Sequence, residues 1–363
     1  MRLTRKKLFL LLIMIFIAVS PILIIYSLGY TFDFSKGSLE KTGGIFLKSK
    51  VTRLSLFLNG EFIKETSLFS GGALLTKIKP GNYLLRLEKK DYQPWSKTID
   101  VEQGTVTELR NILLVAKQIT MATSTAEEIE FLQKKIESDK QNSTQTLTSG
   151  IKVILEKNGN LVVKTNPPTQ LSLKVHSFKV LDDDTIFFVD ENGFLTRADL
   201  QNKTVEIIGR PGFYLKDSPF QFSKSPRQEI LTIDSMGGAF LLDGQTNKII
   251  TIDGGLKTAS FDEKAEKLLL VKEENINILW RLDNALQPFQ KKGTKEEILK
   301  SSSITIEEAK WFYGDNAHII IRTKDGIFMT ETDGRGGRNT VELFSGKTEE
   351  IETDPQTPDL LFI

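Results

Sequence analysis

Two histidines, no cysteine and 47 carboxylates are the stock from which this chain would have to build a reactive site. The absence of cysteine excludes disulfides, thiolate metal sites, iron-sulfur clusters and a lipidated cysteine. His176 and His318 are far apart in sequence, and neither belongs to a HExxH or related ligand spacing. The run Asp182-Asp183-Asp184 lacks the alternating ligands and the glycine of a calcium loop, and it reads as a solvated turn before a strand. Asp190-Glu191-Asn192-Gly193 reads as a hairpin turn in the same way. The stretch from Thr332 to Arg338, TDGRGGR, is rich in glycine and carries two arginines, so it suits an anion. A phosphate cradle, however, sets its glycines between a strand and a helix N-terminus, and here strand-like runs flank the loop. Trp95, Trp280 and the Trp311-Phe312-Tyr313 cluster have the faces to stack on sugar rings, but their strand-like placement makes packing the expected role. His318 opens an apolar strand and reads as a structural histidine. There is no GxSxG, no Ser/His/Asp set arguable from spacing and no distinguishable carboxylate pair. No catalytic, cofactor-binding or metal-ligating residue is therefore nominated.

The elements that would position any site are more legible. With 363 residues, 39% of them hydrophobic and 26% charged, the chain has room for two or three domains. A formal net charge of +1 gives no overall field to draw nucleic acid. Residues 1–7 form a cationic stub with Arg2, Arg5, Lys6 and Lys7, ahead of an apolar run from Leu8 to Tyr30. As a helix that run would be about 34 Å long, against a hydrocarbon core of about 30 Å. The basic flank keeps the N-terminus cytoplasmic and places the bulk of the chain outside. A cleaved signal peptide competes, because Ala18-Val19-Ser20 suits a peptidase. Against it, Pro21 would follow the cut and the apolar run continues, so an uncleaved anchor at 8–30 is the expectation.

Short alternating runs then follow at Gly44–Ser49, Leu54–Leu58, Glu61–Glu65, Ala73–Ile78, Tyr83–Glu88, Trp95–Val101 and Leu109–Leu114. Asn59-Gly60 is a strong hairpin signal, since both positions want positive φ. Lys79-Pro80-Gly81-Asn82 reads as a type II turn. About seven short strands predict a small β-sandwich over residues 42–116. The "LNG", "PGNY", tyrosine bend, "PW" and closing "V-x-x-G" of this stretch resemble the PEGA-domain signature, which implies a small extracytoplasmic β module and no activity. Asp91 stands where that family usually has glycine, and LFSGGALL stands where a Thr-Pro pair is common.

Ser124-Thr125-Ala126-Glu127 is a capping box ahead of Ile129, Leu132 and Ile136, so residues 123–150 are expected to hold a short helix and then a polar linker from Ser138. From 151 to 363 a loose repeat appears. Ile186, Ile230, Leu268 and Ile319 are equivalent positions in paired apolar runs about 40 to 50 residues apart. Aromatic segments precede each pair, with Phe178, Phe220 and Phe222, Phe261, and Trp311-Phe312. This resembles divergent WD40-like or TolB-like β-propellers, without the WD dipeptide. Thr348–Ile363 reads as two strands of an unfinished blade, expected to pair with the hairpin of Ile151–Leu155 and Leu161–Lys164 and so close a ring of about five blades.

The expected fold class is thus mostly β: a transmembrane helix, a PEGA-like sandwich, a short helix and linker, and a propeller-like domain of about five blades. The expected role is that of a membrane-anchored cell-envelope protein that binds a protein or polysaccharide through β-domain loops, with no cofactor and no nucleic acid. A propeller-type hydrolase with a channel site built from several blades is the alternative, and a purely architectural surface-layer spacer is another.

Overall fold

The computed structural model describes the chain except residues 1–4, 34–36, 118–143, 148, 166, 173, 181–184, 211, 213–219, 228, 244–247, 302–303, 313–314, 349, 355–356 and 363. The capping box, the short helix behind it and Asp182-Asp183-Asp184 lie outside the described residues. Two compact units emerge: one comprises Met1–Ile119, Asn284–Gln290 and Thr330–Val341, the other Thr120–Asp283, Lys291–Met329 and Glu342–Ile363.

In the first unit, helix α1 spans Arg5–Ser27 with Pro21 inside it, and nothing in its window Lys7–Ser27 is buried. It stops before Tyr30 because Gly29 takes φ +84°, the left-handed stop that glycine adopts without a Cβ clash. Gly29 O accepts hydrogen bonds from the amide and the hydroxyl of Thr42 at 2.8 and 2.6 Å. Lys77 Nζ sits 3.3 Å from the centroid of the Tyr26 ring. Between helix and sandwich, β1 (Tyr30–Asp33) and β2 (Ser38–Lys41) form a small antiparallel ribbon that the polar composition of this stretch conceals.

Seven strands follow, as the sequence predicts: β3 (Gly43–Ser49), β4 (Ser55–Leu58), β5 (Glu61–Glu65), β6 (Gly72–Ile78), β7 (Gly81–Glu88), β8 (Trp95–Val101) and β9 (Val106–Ile112). They build two sheets, β6-β3-β9 and β5-β4-β7-β8, with β3 and β9 parallel. The core between them takes Ile45 and Leu47, Ala73 and Leu75, and Leu109 and Ile112 from one sheet. Leu56, Leu85, Leu87, Trp95, Ile99 and Val101 come from the other. The Asn59-Gly60 hairpin has φ of +51° and +86°, as a primed turn requires. Pro80-Gly81, by contrast, is no hairpin turn. It carries the chain from one sheet to the other, and Gly81 takes φ +147° at the start of β7 instead of the roughly +80° of a type II turn. Asp91 takes φ +66° on an exposed bend, a conformation that glycine adopts without a Cβ clash. Asp91→Gly is therefore expected to leave the thermal midpoint unchanged or raise it, while Gly81→Val lowers stability by about 1–3 kcal/mol. Equal shifts for the two variants would contradict this.

The second unit contains five four-stranded antiparallel sheets, each wound in chain order. The first is β10 (Thr144–Thr146), β11 (Lys152–Leu155), β12 (Leu161–Val163) and β13 (Thr169–Ser172). The second is β14 (Val175–Val180), β15 (Thr185–Asp190), β16 (Leu195–Asp199) and β17 (Thr204–Gly209), and the third β18 (Gln221–Lys224), β19 (Ile230–Ile233), β20 (Ala239–Leu242) and β21 (Ile249–Asp253). The fourth is β22 (Thr258–Phe261), β23 (Lys267–Val271), β24 (Asn275–Trp280) and β25 (Lys295–Lys300). The fifth is β26 (Ile306–Phe312), β27 (His318–Thr323), β28 (Gly326–Glu331) and β29 (Thr340–Ser345), followed by a two-stranded ribbon of β30 (Glu352–Asp354) and β31 (Thr357–Phe362). The last residues of β28 and the first of β29 belong to the first unit.

The alternation of side chains along a strand explains how successive sheets stack. In β15, Ile186 and Phe188 pack with Val153 and Leu161 of the sheet before, and Phe187 and Val189 pack with Ile230 and Leu242 of the sheet after. In β23, Leu268 and Leu270 face back to Leu231 and Leu241, and Leu269 and Val271 face on to Ile319 and Ile321. A strand buried on both faces reads as a continuous apolar run, as these do. This topology and alternation are propeller-like.

One expectation needs correction. The first sheet is complete without the C-terminus, because Thr144–Thr146 of the supposed linker and Thr169–Ser172 supply its outer strands. Accordingly β30 and β31 pair with each other, and the expected union with Ile151–Leu155 and Leu161–Lys164 does not form. Two stretches of the run 151–363, Asn284–Gln290 and Thr330–Val341, fall in the first unit.

Lys267 is the outlier in this apolar stack. It is 7% exposed, with Nζ 5.4 Å from the ring centroid of Trp280 and 4.9 Å from that of Trp311, and it donates to Asn316 O. Burial pushes its ammonium below the ordinary lysine range, against the pull of Asp262 at 3.7 Å. A folded value below the unfolded one means that this group favours the fold most above the ordinary lysine range, and that the contribution is lost as pH falls through the folded value. At neutral pH the ammonium is thus tolerated more than exploited. Replacing the pair together, Lys267→Met with Asp262→Asn, strands no buried charge and is expected to change stability by less than about 1 kcal/mol or to raise it, read from thermal unfolding at pH 7.

Candidate binding surfaces of the sandwich unit

In β8 the core-facing positions are Trp95, Lys97, Ile99 and Val101, so one lysine points inward from an edge strand. An inward charge deters edge-to-edge pairing but needs a partner. Glu331 supplies it. Lys97 Nζ lies 2.7 Å from Glu331 Oε1, with the two side chains 1% and 6% exposed. The same carboxylate accepts from the amide and side chain of Asn339 at 2.8 and 3.0 Å and from Trp95 Nε1 at 3.4 Å. A second proton of Lys97 goes to Asp333 O at 2.8 Å.

The glycine-rich loop Thr332–Arg338, considered above for anions, is committed to this assembly. Arg335 forks onto Asp333 at 2.7 to 3.2 Å and donates to Glu108 O and Gln287 Oε1, both at 2.8 Å. Gly336, at φ +63°, lies so close to β8 that a Cβ there would stand 1.6 Å from Thr98 O. Along β9, the Gln287 amide accepts from Glu108 N at 3.0 Å and donates to Val106 O at 2.8 Å, imitating the peptide of a neighbouring strand. Two remote stretches thereby cover the open edges of β8 and β9. Burial alone would push the Asp333 carboxyl up, but the Arg335 fork and the Lys97 charge outweigh it and hold the group below its usual range. With the folded value depressed, this stabilisation is present above the ordinary carboxylate pKa of about 3.9 and is lost as pH falls through the lower folded value. Asp333→Asn should therefore flatten the acid limb of stability below about pH 4, as followed by acid titration of tryptophan fluorescence.

The strand ends carrying Lys89 and Lys90 form a cleft of about 410 Å³. Its lining includes Arg86, Lys89, Lys90 and Lys117, with Glu88 the one carboxylate and Tyr92 the one aromatic. Lys89 Nζ is steadied by Thr52 O at 2.9 Å and lies 5.6 Å from the Tyr92 ring centroid. Glu88 is taken by Arg86. The segment after β9 is fastened to the bend at Asp91 by Gln93 N to Val115 O at 2.8 Å and Lys117 N to Asp91 O at 2.9 Å.

The other residues weighed for chemistry are structural. Asp190 Oδ1 accepts from the amides of Asn192 and Phe194, both at 2.9 Å, as a turn cap, and Glu191 pairs with Lys174 on the surface. His318 Nδ1 is 2.6 Å from Asp315 Oδ2 in a buried pair, and His176 is half-buried in β14. Trp95, Trp280 and Trp311 are buried and present no face to a sugar, and Tyr313 is outside the described residues. Among the described residues no group of three or more His, Asp or Glu is disposed to hold a metal. Sequence reasoning missed the Lys97–Glu331 pair, although a lysine at a core-facing position of an alternating strand is its signature.

Residues 71–114 match the PEGA domain. Comparison with curated proteins gives no match. Among solved structures, the chain is similar to the Cps50 (Swd1) β-propeller domain of Myceliophteria thermophila, at 11% identity over 75% of this chain and 86% of that one, with a TM-score of 0.39. YCF48 from Cyanidioschyzon merolae gives 8% identity, 85% and 93% coverage and a TM-score of 0.40. The N-terminal domain of Nup159 gives 10%, 55% and 60%, with a TM-score of 0.34, so the chain spans about three fifths of that domain. The propeller-like description stands on the sheet topology and the alternating burial.

Proposed function

We propose that the chain is a membrane-anchored binding or scaffold protein that works outside the cytoplasm and recognises a protein or surface polymer through loops of its β units. The observation that carries this reading lies within the first unit. An apolar helix long enough to cross a bilayer, with none of its hydropathic window buried, is tied by Gly29, Thr42 and Lys77 to a sandwich that matches the PEGA domain. The edges of β8 and β9 are covered, and the loop that covers β8 is held by hydrogen bonds, the kind of rigid frame on which recognition loops sit. In this reading residues 1–7 are cytoplasmic, 8–30 span the membrane, 42–116 form the first extracytoplasmic module and the propeller-like sheets lie beyond it. Membrane fractions washed with alkaline carbonate should retain the chain, and protease added to intact protoplasts should digest everything beyond the helix. Release by carbonate, a mature N-terminus at Pro21 or a protected C-terminal region would overturn the proposal.

A further inference from the structure

The cleft at Lys89, Lys90 and Lys117 is a feature of the sandwich unit that its own folding leaves unexplained. Elsewhere in the unit several charges are paired: Lys97 with Glu331, Arg335 with Asp333, Arg110 with Glu108. Between Lys48 and Lys117 there are twelve Lys and Arg against seven Asp and Glu, although the whole chain carries only +1. Part of that excess gathers here. With Glu88 engaged by Arg86, three ammonium groups share the cleft and form no ion pair among the described residues. Three cations held near one another repel, and a fold tolerates that where an anion completes the site. The positions are also preorganised. Lys89 is held by a carbonyl and an aromatic ring, and the backbone of Lys117 is bonded to the bend that follows Lys90. Arg53, next to the Thr52 whose carbonyl holds Lys89, is a further exposed cation.

Position decides between a lipid headgroup and another anion. The helix joins the sandwich near Gly29, Thr42 and Lys77, at the end of the strands where Gly43 meets Val101, the partner of Gly81. The cleft lies past Glu88 at the other end of β7, eight residues on, or roughly 25 Å at 3.3 Å per residue. The cleft is thus well separated from the point where the helix enters the sandwich, which favours an anion other than a headgroup of the bilayer that would hold the helix.

We propose that this cleft binds a segment of an anionic polymer, with successive phosphate or carboxylate groups meeting Lys89, Lys90 and Lys117. This rests on the extracytoplasmic binding role above, and it names the ligand class. The test uses the full chain in detergent, with inorganic polyphosphate, polygalacturonate and neutral dextran as probes in biolayer interferometry. Binding to one or both polyanions and none to dextran is expected, with the preference between the two identifying phosphate or carboxylate as the recognised group. Lys90→Glu/Lys117→Glu should weaken binding about tenfold or more, whereas Lys224→Glu/Lys300→Glu, an equal charge change on exposed lysines of the other unit, should leave it within about twofold. Unaltered thermal unfolding of both variants separates this from misfolding. No binding to either polyanion, binding to dextran, or equal losses in the two variants would overturn the proposal. If carbonate washing and protease digestion still show an anchored, outward-facing chain, only the ligand assignment falls.

Discussion

Glu331→Ala is expected to destabilise the sandwich unit by about 3–5 kcal/mol, the usual cost of stranding one member of a buried ion pair. The alanine would leave Lys97, 1% exposed, beside Trp95 with Asp333 O as its remaining strong acceptor, and would free the amide and side chain of Asn339. Lys97→Met/Glu331→Leu should recover most of the loss, since an apolar pair of similar volume removes both charges at once. Thermal unfolding of the unmodified chain, Lys97→Met, Glu331→Leu and the double variant forms a double-mutant cycle, and a coupling under about 0.5 kcal/mol would show that the two groups do not depend on each other.

The second large effect is expected at Gly336. A Cβ there would meet Thr98 O at 1.6 Å, far inside contact distance, and no flexible side-chain end is available to yield because the obstacle is backbone. Gly336→Ala should drive the Thr332–Arg338 loop off β8, raise hydrogen exchange at the amides of Arg335 and Asn339 by at least about tenfold, and cost more than 2 kcal/mol, roughly. Gly337→Ala is the control. Its φ is +95° with nothing within 4 Å of a Cβ, so only the backbone penalty of about 1–2 kcal/mol applies. Equal protection in the two variants would mean that the loop does not depend on its close approach to β8.

The sandwich was legible in the sequence because one face of each strand is wet. Alternation such as Trp95, Ile99 and Val101 against Ser96, Thr98 and Asp100 marks strand, face and boundary together. In the second unit the middle strands were legible for the opposite reason, as runs such as KLLLV are buried on both faces. The outer strands escaped. Thr204–Gly209 and Thr340–Ser345 are largely exposed, and Thr144–Thr146 is too polar to differ from a linker, so the period showed where the hydrophobic burial was and not where each sheet ended. That gap produced the mistaken pairing of the C-terminus with the first hairpin. The Thr332–Arg338 loop drew notice for its composition, but its partners Glu108 and Gln287 are remote in sequence, and no local pattern encodes such a meeting. The lysine cleft escaped for the same reason, since Lys117 joins Lys89 and Lys90 only through the backbone bonds at Asp91 and Val115.

The discontinuity of the first unit also sets a timetable. A ribosome that has finished Lys117 must add about 220 more residues before Asn339 emerges, roughly 10 to 45 s at ordinary rates of synthesis. Throughout that interval the nascent chain carries β8 and β9 with bare edges and Lys97 without its carboxylate. Crowded neighbours on the same message would present identical bare edges to one another, so a fast elongation rate through residues 120–330, or a holding chaperone, works in favour of a correctly finished molecule.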